Sequence, residues 1–391
     1  MTLDDTQLAA VAFASSRRLS LVTGGAGTGK TTIVREIAAA VPHPVLCSFA
    51  GKAAARLREA TCFPASTIHS LLRYNGATFA AGPLHGKSVI VDEASMLPSA
   101  LLYEIVSREP ARLVLVGDAA QLPPVGKGQP FHDLLALRPG LSRELTTCYR
   151  ATEAIHAASR EIRAGNVPRR ILQTAAERYE FRPTGAPPET HRAILSLAET
   201  GEIDFAQDVV IVPRNGTGPD DPCTVASLNA ALRPIANPRH DPERRIDIGD
   251  RVINTKNQPD ADVWNGTTGT VHAIDDEEGV IVKLDFPATD QATGEPTEYI
   301  TFDRQEMAPH LHLAYALTVH KAQGSQYRRV VTACLDRDAW ALLDRALLYT
   351  AVTRAREQCL VVGNPAAFAS AVSRVSVRHT VMQQLAGGHQ Q

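Results

Sequence analysis

Residues 19–32, LSLVTGGAGTGKTT, constrain this chain more than any other stretch. A short apolar run, Leu19 to Val22, stops at paired glycines, and Lys30-Thr31-Thr32 opens an amphipathic pattern continued by Ile33, Val34 and Ile37. The order is strand, glycine-rich loop, helix, and Gly24 to Thr31 fit the spacing G-x-x-x-x-G-K-[ST]. In such a loop backbone N–H groups curl around phosphate oxygens. Side chains at Gly27 or Gly29 would obstruct that approach, and the helix N-terminus adds a favourable field. Gly25, Ala26, Gly27, Thr28, Gly29, Lys30, Thr31 and Thr32 are therefore the expected phosphate cradle. Lys30 reaches the β- and γ-phosphates, and the Thr31 hydroxyl takes one place on Mg²⁺. A glycine-rich turn without a ligand is the alternative, and the preceding strand and the Lys-Thr pair argue against it. The expected ligand is a nucleoside triphosphate.

The second metal anchor is expected in VIVDEASM (89–96), an apolar strand that ends in two acids. A carboxylate at a strand end beside a phosphate loop suits Mg²⁺, which assigns Asp92, and Glu93 is then placed to orient and deprotonate the attacking water. LVLVGDAAQLPPVGKG (113–128) repeats the design and offers Gln121, a neutral amide able to touch both the γ-phosphate and its water. CYRAT (148–152) and YTAVTRAR (349–356) each carry an arginine past the first α/β region. An inserted guanidinium is worth about 10³–10⁵ in phosphoryl-transfer rate. Salt bridges are the ordinary explanation for a single arginine; two, both expected in the second domain, suggest an active site built across a cleft that closes on ATP.

The rest of the chain sets these elements in order. Strands are expected at Leu19–Thr23, Val45–Phe49, Ser88–Val91 and Leu113–Gly117, short and apolar, as in a parallel sheet covered on both faces. Asn75-Gly76 signals a hairpin turn within a short excursion at 72–87. A second α/β region follows, with a strand at Val209–Val212 and another at Cys359–Val362. Between them residues 246–306 change character, with short β-rich runs separated by turn residues, as in a small barrel. The expected fold is therefore α/β, two parallel-sheet domains with a small β domain inserted in the second.

Composition narrows the partners. The 391 residues are 44% hydrophobic and 21% charged, as in a soluble globular protein of two or three domains. No apolar run approaches the length of a membrane span, and MTLDDTQ carries no basic leader, so a cytoplasmic protein without a membrane partner is expected. The six cysteines lie far apart without C-x-x-C, which speaks for reduced thiols and against a zinc ribbon. With a net charge of −2, any nucleic acid must be held by a local basic groove.

Taken in order, these motifs resemble superfamily 1 helicases, and most closely the RecD-like members of superfamily 1B, over nearly the whole chain. LDDTQLAAV looks like the family's Q motif, which places Gln7 on the adenine edge; GGAGTGKTT, VDEASM and GDAAQLPP look like motifs I, II and III. CYRAT looks like motif IV, with Tyr149 stacking on adenine and Arg150 on the γ-phosphate. AYALTVHKAQGSQY (314–327) looks like motif V, with Gln326 at the nucleotide, and LLYTAVTRAR like motif VI, with Arg354 as second finger. The resemblance implies RecA-like domain 1A at 1–140 with the 72–87 excursion as a short 1B pin. It implies domain 2A at 141–243 and 308–391, and an SH3-like domain 2B at 244–307.

The same resemblance implies an ATP- and Mg²⁺-dependent motor that moves 5′→3′ on single-stranded DNA and opens duplex junctions. SFAGKAAARL and STIHSLL look like motifs Ia and Ib. The DNA contacts implied are Phe49, Lys52, Thr67, His69, Pro123, Trp264, Thr318, His320 and Lys321. Hydroxyls, imidazoles and ammonium groups suit phosphate contacts, and aromatics serve as stacking platforms worth about 1–3 kcal/mol per base. Core packing is an equal or stronger reading for Phe49, Trp264 and His69. Departures exist: Phe49-Ala50 stands where the family has Pro-Thr, and Gln326 replaces a family glutamate. Two other functions stay open on the residues alone: an RNA helicase of the same superfamily, and a nucleotide-dependent switch that binds nucleic acid without moving. A loading partner is not indicated by any motif.

Overall fold

The structure, a computed structural model, describes residues 3–149, 152–172, 177–216, 221–258, 263–275, 277, 279–289, 295–305, 308–339 and 342–387. The chain divides into two compact units: Met1–Ala151 with Ser376–Gln391, and Thr152–Val375. Among the described residues no helix is long and apolar enough to cross a membrane.

The first unit is built on β1 (Leu19–Gly24), β2 (Pro44–Ser48), β3 (Ala65–Thr67), β4 (Ser88–Asp92), β5 (Arg112–Gly117) and β6 (Ser142–Leu145). They form one sheet in the order β3-β2-β4-β5-β1-β6, with every ladder parallel. The four strands expected here are all present, and their near-continuous apolar character has a direct cause, since each buries both faces. Val22, Leu46, Ile90, Val114 and Val116 pack under Ala10, Ile33, Ile37 and Leu57, which come from the helices Asp5–Ser16, Lys30–Ala40 and Gly51–Thr61. On the opposite face Leu21, Val89, Val91, Leu113 and Leu115 meet Leu101, Ile105 and Phe131. Each buried Val, Leu, Ile or Phe side chain here contributes roughly 1.5–3 kcal/mol. Because β4, β5 and β1 are neighbours, their C-terminal ends at Asp92, Gly117 and Gly24 lie side by side on the edge where open parallel sheets hold ligands.

The excursion is a tight hairpin. Tyr74 bridges Phe79, Gly76 takes a φ of 96°, and Asn75 Oδ1 accepts from the N–H groups of Ala77 and Thr78 at 3.0 and 2.8 Å. Arg108 fastens it to the unit by donating to the carbonyls of Ala81 and Phe79, both at 3.0 Å. The expected second domain ran to residue 391, but Ser376 onward groups with the first unit.

The second unit carries β7 (Ile171–Leu172), β8 (Arg178–Pro183) and β9 (Val209–Val212). A separate set follows: β10 (Arg251–Asn254), β11 (Thr268–Asp275), β12 (Gly279–Thr289), β13 (Pro296–Asp303) and β14 (Leu311–Leu313). Last come β15 (Ala316–Thr318), β16 (Tyr327–Cys334) and β17 (Ala355–Gly363). One sheet runs β15-β9-β16-β17-β8-β7, parallel except for β7. Between the helix Val225–Ala236 and β15 the chain leaves to build a five-stranded antiparallel sheet, β13-β12-β11-β10-β14. That sheet has its own core of Val252, Val271, Val282, Leu284, Phe302 and Leu311.

An ionic cluster joins the start and end of this insertion. Asp250 is fully buried and accepts from Arg233 Nε at 2.9 Å, Asn237 Nδ2 at 3.0 Å and the Tyr315 hydroxyl at 2.8 Å. Removing one member of a buried pair leaves an uncompensated charge, so Asp250→Ala is expected to cost about 3–5 kcal/mol. Urea denaturation reads this directly, and an unchanged midpoint would show the cluster to be idle.

Candidate nucleotide and nucleic-acid site

The glycine loop leaves β1 and delivers Lys30 at the start of the helix Lys30–Ala40. Gly27 and Gly29 both adopt φ of 80°, in the left-handed region that favours glycine. A Cβ on Gly29 would come within 2.6 Å of Gln7 Nε2. The Lys30 ammonium donates to the carbonyls of Gly24 and Gly25, both at 2.9 Å, and the Thr28 hydroxyl donates to Gly25 O at the same distance. Loop, lysine and threonine therefore hold one another in shape. Thr31 and Thr32 follow, half-buried.

Asp92 ends β4 and is nearly buried. Burial and then the neighbouring Glu93 charge push its carboxyl up to about 7, opposed by the Glu93 N–H at 2.9 Å, by Lys30 and by Arg56. Glu93 itself stands at φ 53°, a left-handed conformation uncommon for a non-glycine residue, and its buried Oε2 has no hydrogen-bond partner among the described residues. An unfilled acceptor beside a raised carboxyl fits a place for a water or hard cation, and the Thr31 hydroxyl and Asp92 carboxylate are the oxygen donors Mg²⁺ takes. Gln121 lies on the next strand's loop, 4% exposed, its amide donating to Asp118 Oδ2 at 3.3 Å.

A third group gathers on the other side of the loop. Gln7 donates through Nε2 to Thr28 O at 3.4 Å, and Tyr149 N–H donates to Gly27 O at 2.8 Å. The Tyr149 hydroxyl donates to Asp4, whose carboxylate also accepts from Gln7 N at 2.7 Å, while Asp4 N–H donates to Gln7 Oε1 at 3.2 Å. The bond from Tyr149 holds the Asp4 carboxyl well below the usual range and in turn raises the phenol. Gln7 and Tyr149, far apart in sequence, thus meet at one end of the glycine loop with the Tyr149 ring 42% exposed. Asp4 is the residue that sequence reasoning missed; its signal was the Asp4-x-x-Gln7 capping box that starts the first helix. Asp4→Ala is expected to cost the helix about 0.5–2 kcal/mol. It should also free the Tyr149 ring, raising KM for ATP several-fold while kcat changes little; steady-state kinetics alongside thermal unfolding check this, and an unchanged KM would contradict it.

The residues expected to touch DNA fall into distinct surroundings. In the first unit Thr67 uses its hydroxyl to cap Ser70 N–H at 3.0 Å, and Lys52 is buried at 7% exposure. His69 lies among the rings of Phe49, Tyr74 and Phe79, with centroids 5.4–6.2 Å away. Burial lowers its imidazole below the ordinary value, so at neutral pH it offers a hydrogen bond but no charge. Phe49 packs against the core on one side, and Pro123 is half-buried. In the second unit Thr318 caps Lys321 N–H at 3.3 Å, His320 is exposed, and burial lowers the Lys321 ammonium. Trp264 lies half-buried in the turn before β11, outside the core of the inserted sheet. Gln326 is half-buried ahead of β16.

Each unit repeats one device. An edge strand, β3 or β15, ends in a threonine that caps a single helical turn, and a histidine stands two residues later, Thr67-Ile68-His69 in one unit and Thr318-Val319-His320 in the other. Arg354 is 4% exposed in the second unit. Its guanidinium donates to Thr350 O at 3.2 Å, Ser325 O at 3.3 Å and the Thr353 hydroxyl at 3.4 Å, with no carboxylate among these partners. Arg150 lies outside the described residues.

Sheet order, glycine loop and carboxylate strand together define a P-loop nucleotide-binding α/β protein with two parallel-sheet units. The family model described as an AAA domain matches residues 2–182, and that described as a UvrD-like helicase C-terminal domain matches 313–362. The chain is similar to the ATP-dependent RecD2 DNA helicase of Deinococcus radiodurans, 33% identical over 99% of this chain and 53% of that protein. It is similar also to the RecBCD enzyme subunit RecD of Mycobacterium tuberculosis H37Rv, 31% identical over 96% and 72% of the two chains. The chain thus spans about half of the first relative and nearly three quarters of the second. Among solved structures, Pif1 helicases at forked double-stranded DNA superpose with a TM-score of 0.55 at 20% identity, covering 92% of both chains. Pif1 helicase from Candida albicans gives 0.53 at 17%, covering 100% of both; at such identities the likeness is one of fold. This chain belongs to the RecD-like family of superfamily 1B, a family of ATP-dependent DNA helicases.

Proposed function

We propose that this chain is an ATP-driven motor that steps 5′→3′ along single-stranded DNA and separates duplex at junctions. The observation that carries the reading is the convergence of Lys30, Asp92, Glu93 and Gln121 on three adjacent strand ends, with a buried carboxylate oxygen of Glu93 left open. Thr31 and Asp92 would hold Mg²⁺, which supplies charge neutralisation of the β- and γ-phosphates. Glu93 orients and accepts a proton from the attacking water, and Gln121 senses the γ-phosphate. Gln7 and the Tyr149 ring take the base. Arg150 and Arg354 are the arginines assigned to the γ-phosphate, where a guanidinium stabilises the charge of phosphoryl transfer.

The repeated Thr-x-His device supports alternating grips on one strand, one from Thr67 and His69 and the other from Thr318, His320 and Lys321. Each threonine hydroxyl accepts a backbone N–H in its cap and keeps its own O–H to donate, so hydroxyls and histidines together supply the phosphate contacts. The inserted antiparallel sheet is read as an SH3-like 2B domain that presents Trp264 to the strand, and the hairpin at 72–87 as a short pin. Six free cysteines support a reducing, cytoplasmic setting.

Direction is tested by displacement of streptavidin from biotinylated oligonucleotides. A 5′→3′ motor clears the 3′ end and opens 5′-tailed duplexes. Preferential clearing of the 5′ end overturns the direction, and no displacement from either end leaves a nucleotide-dependent clamp rather than a motor.

A further inference from the structure

The loop Leu122–Gly128, LPPVGKG, follows Gln121 and is short of backbone donors, because Pro123 and Pro124 carry no N–H. Its carbonyls are met from far away in sequence. Arg378 Nη1 donates to Pro124 O at 2.7 Å and reaches Gly126 O at 3.5 Å. Five residues on, Gln383 of the short helix Val381–Gly387 donates to Asp133 Oδ1 at 2.8 Å, on the helix Pro130–Leu137 that the loop enters. Asp133 is 1% exposed and also receives Gln129 Nε2 at 3.5 Å. One strap of chain therefore fastens both ends of the segment between Gln121 and Asp133. It is also the place where the chain, having completed the second unit at Val375, comes back to the first.

We propose that Arg378 is a positioning residue: its guanidinium holds the 122–128 loop so that Gln121 stays aligned with the γ-phosphate. The inference rests on the proposed motor function. The loop also rests on Pro98 and on Ser99, whose N–H donates to Lys127 O at 3.1 Å, but the Pro124 and Gly126 carbonyls are met by Arg378. Arg378 makes no carboxylate contact among the described residues, so its charge serves the carbonyls rather than an ion pair.

The test compares full-length wild type with Arg378→Ala, Arg378→Lys and Gln383→Ala. Arg378→Ala is expected to lower DNA-stimulated kcat about 10-fold, as a small misplacement near the chemistry does. KM for ATP should stay within about twofold, because the phosphate cradle and base site are untouched. Arg378→Lys recovers part of the loss, since one of its donors still reaches Pro124 O. Amide exchange across 119–128 accelerates in Arg378→Ala, read without any activity. Wild-type kcat and unchanged exchange in Arg378→Ala would overturn the proposal, as would equal losses in the alanine and lysine variants. If wild type itself shows no stimulation by DNA, the motor reading fails, while the exchange result still decides whether Arg378 holds the loop.

Discussion

Lys30→Ala is expected to abolish ATP turnover, lowering kcat by at least about 10²–10³-fold, the range for deleting a single preorganised donor to transition-state charge. The ammonium sits against the carbonyls of Gly24 and Gly25 at 2.9 Å, so it is already held at the mouth of the loop where the β- and γ-phosphates belong. Its loss removes the one side-chain cation in the glycine loop and touches none of the residues placed on DNA. Single-stranded DNA affinity measured by anisotropy therefore stays near wild type. Retained turnover in a folded Lys30→Ala protein would rule out the assignment of the site.

The second large effect is expected at Arg354. Arg354→Ala should reduce turnover by about 10³–10⁵, the range for removal of an arginine that stabilises charge in the transition state. Arg354→Lys should recover little, because an ammonium cannot reproduce a planar guanidinium with several fixed donors. The side chain is buried among carbonyls and a hydroxyl, and among the described residues no carboxylate pairs with its charge. Losing those hydrogen bonds also costs stability, so thermal unfolding and nucleotide binding are measured with the kinetics. A variant that folds, binds ATP and turns over at the wild-type rate contradicts the role.

Much of the first unit was legible because its signals are local. The strand before Gly24, the spacing to Lys30 and the apolar run into Asp92-Glu93 each lie within one short window, and parallel pairing then brings the windows together. Strands β3 and β6 were not legible, since Ala65-Ser66-Thr67 and Ser142-Arg143-Glu144-Leu145 are short and polar and exist only through their neighbours in the sheet. The β-rich insertion was visible as a change of composition, whereas the burial of Asp250 depends on Arg233 and Tyr315, which come from either side of it. Thr67 and Thr318 illustrate a limit of motif reading. Sequence places a hydroxyl at each position, but only the backbone geometry reveals that each accepts a backbone N–H in a helix cap. The return of Ser376 onward to the first unit rests on contacts across more than two hundred residues, which no periodicity records.

The measurement closest to the centre of this account is the steady-state ATPase rate of the full chain as single-stranded DNA is titrated in. Coupling between the nucleotide pocket and the strand predicts a rise of about tenfold or more, well within the roughly 10³–10⁵ that a correctly placed guanidinium can supply, saturating with DNA and absent in Arg354→Ala. A rate that is the same with and without DNA would leave a nucleotide hydrolase with no motor.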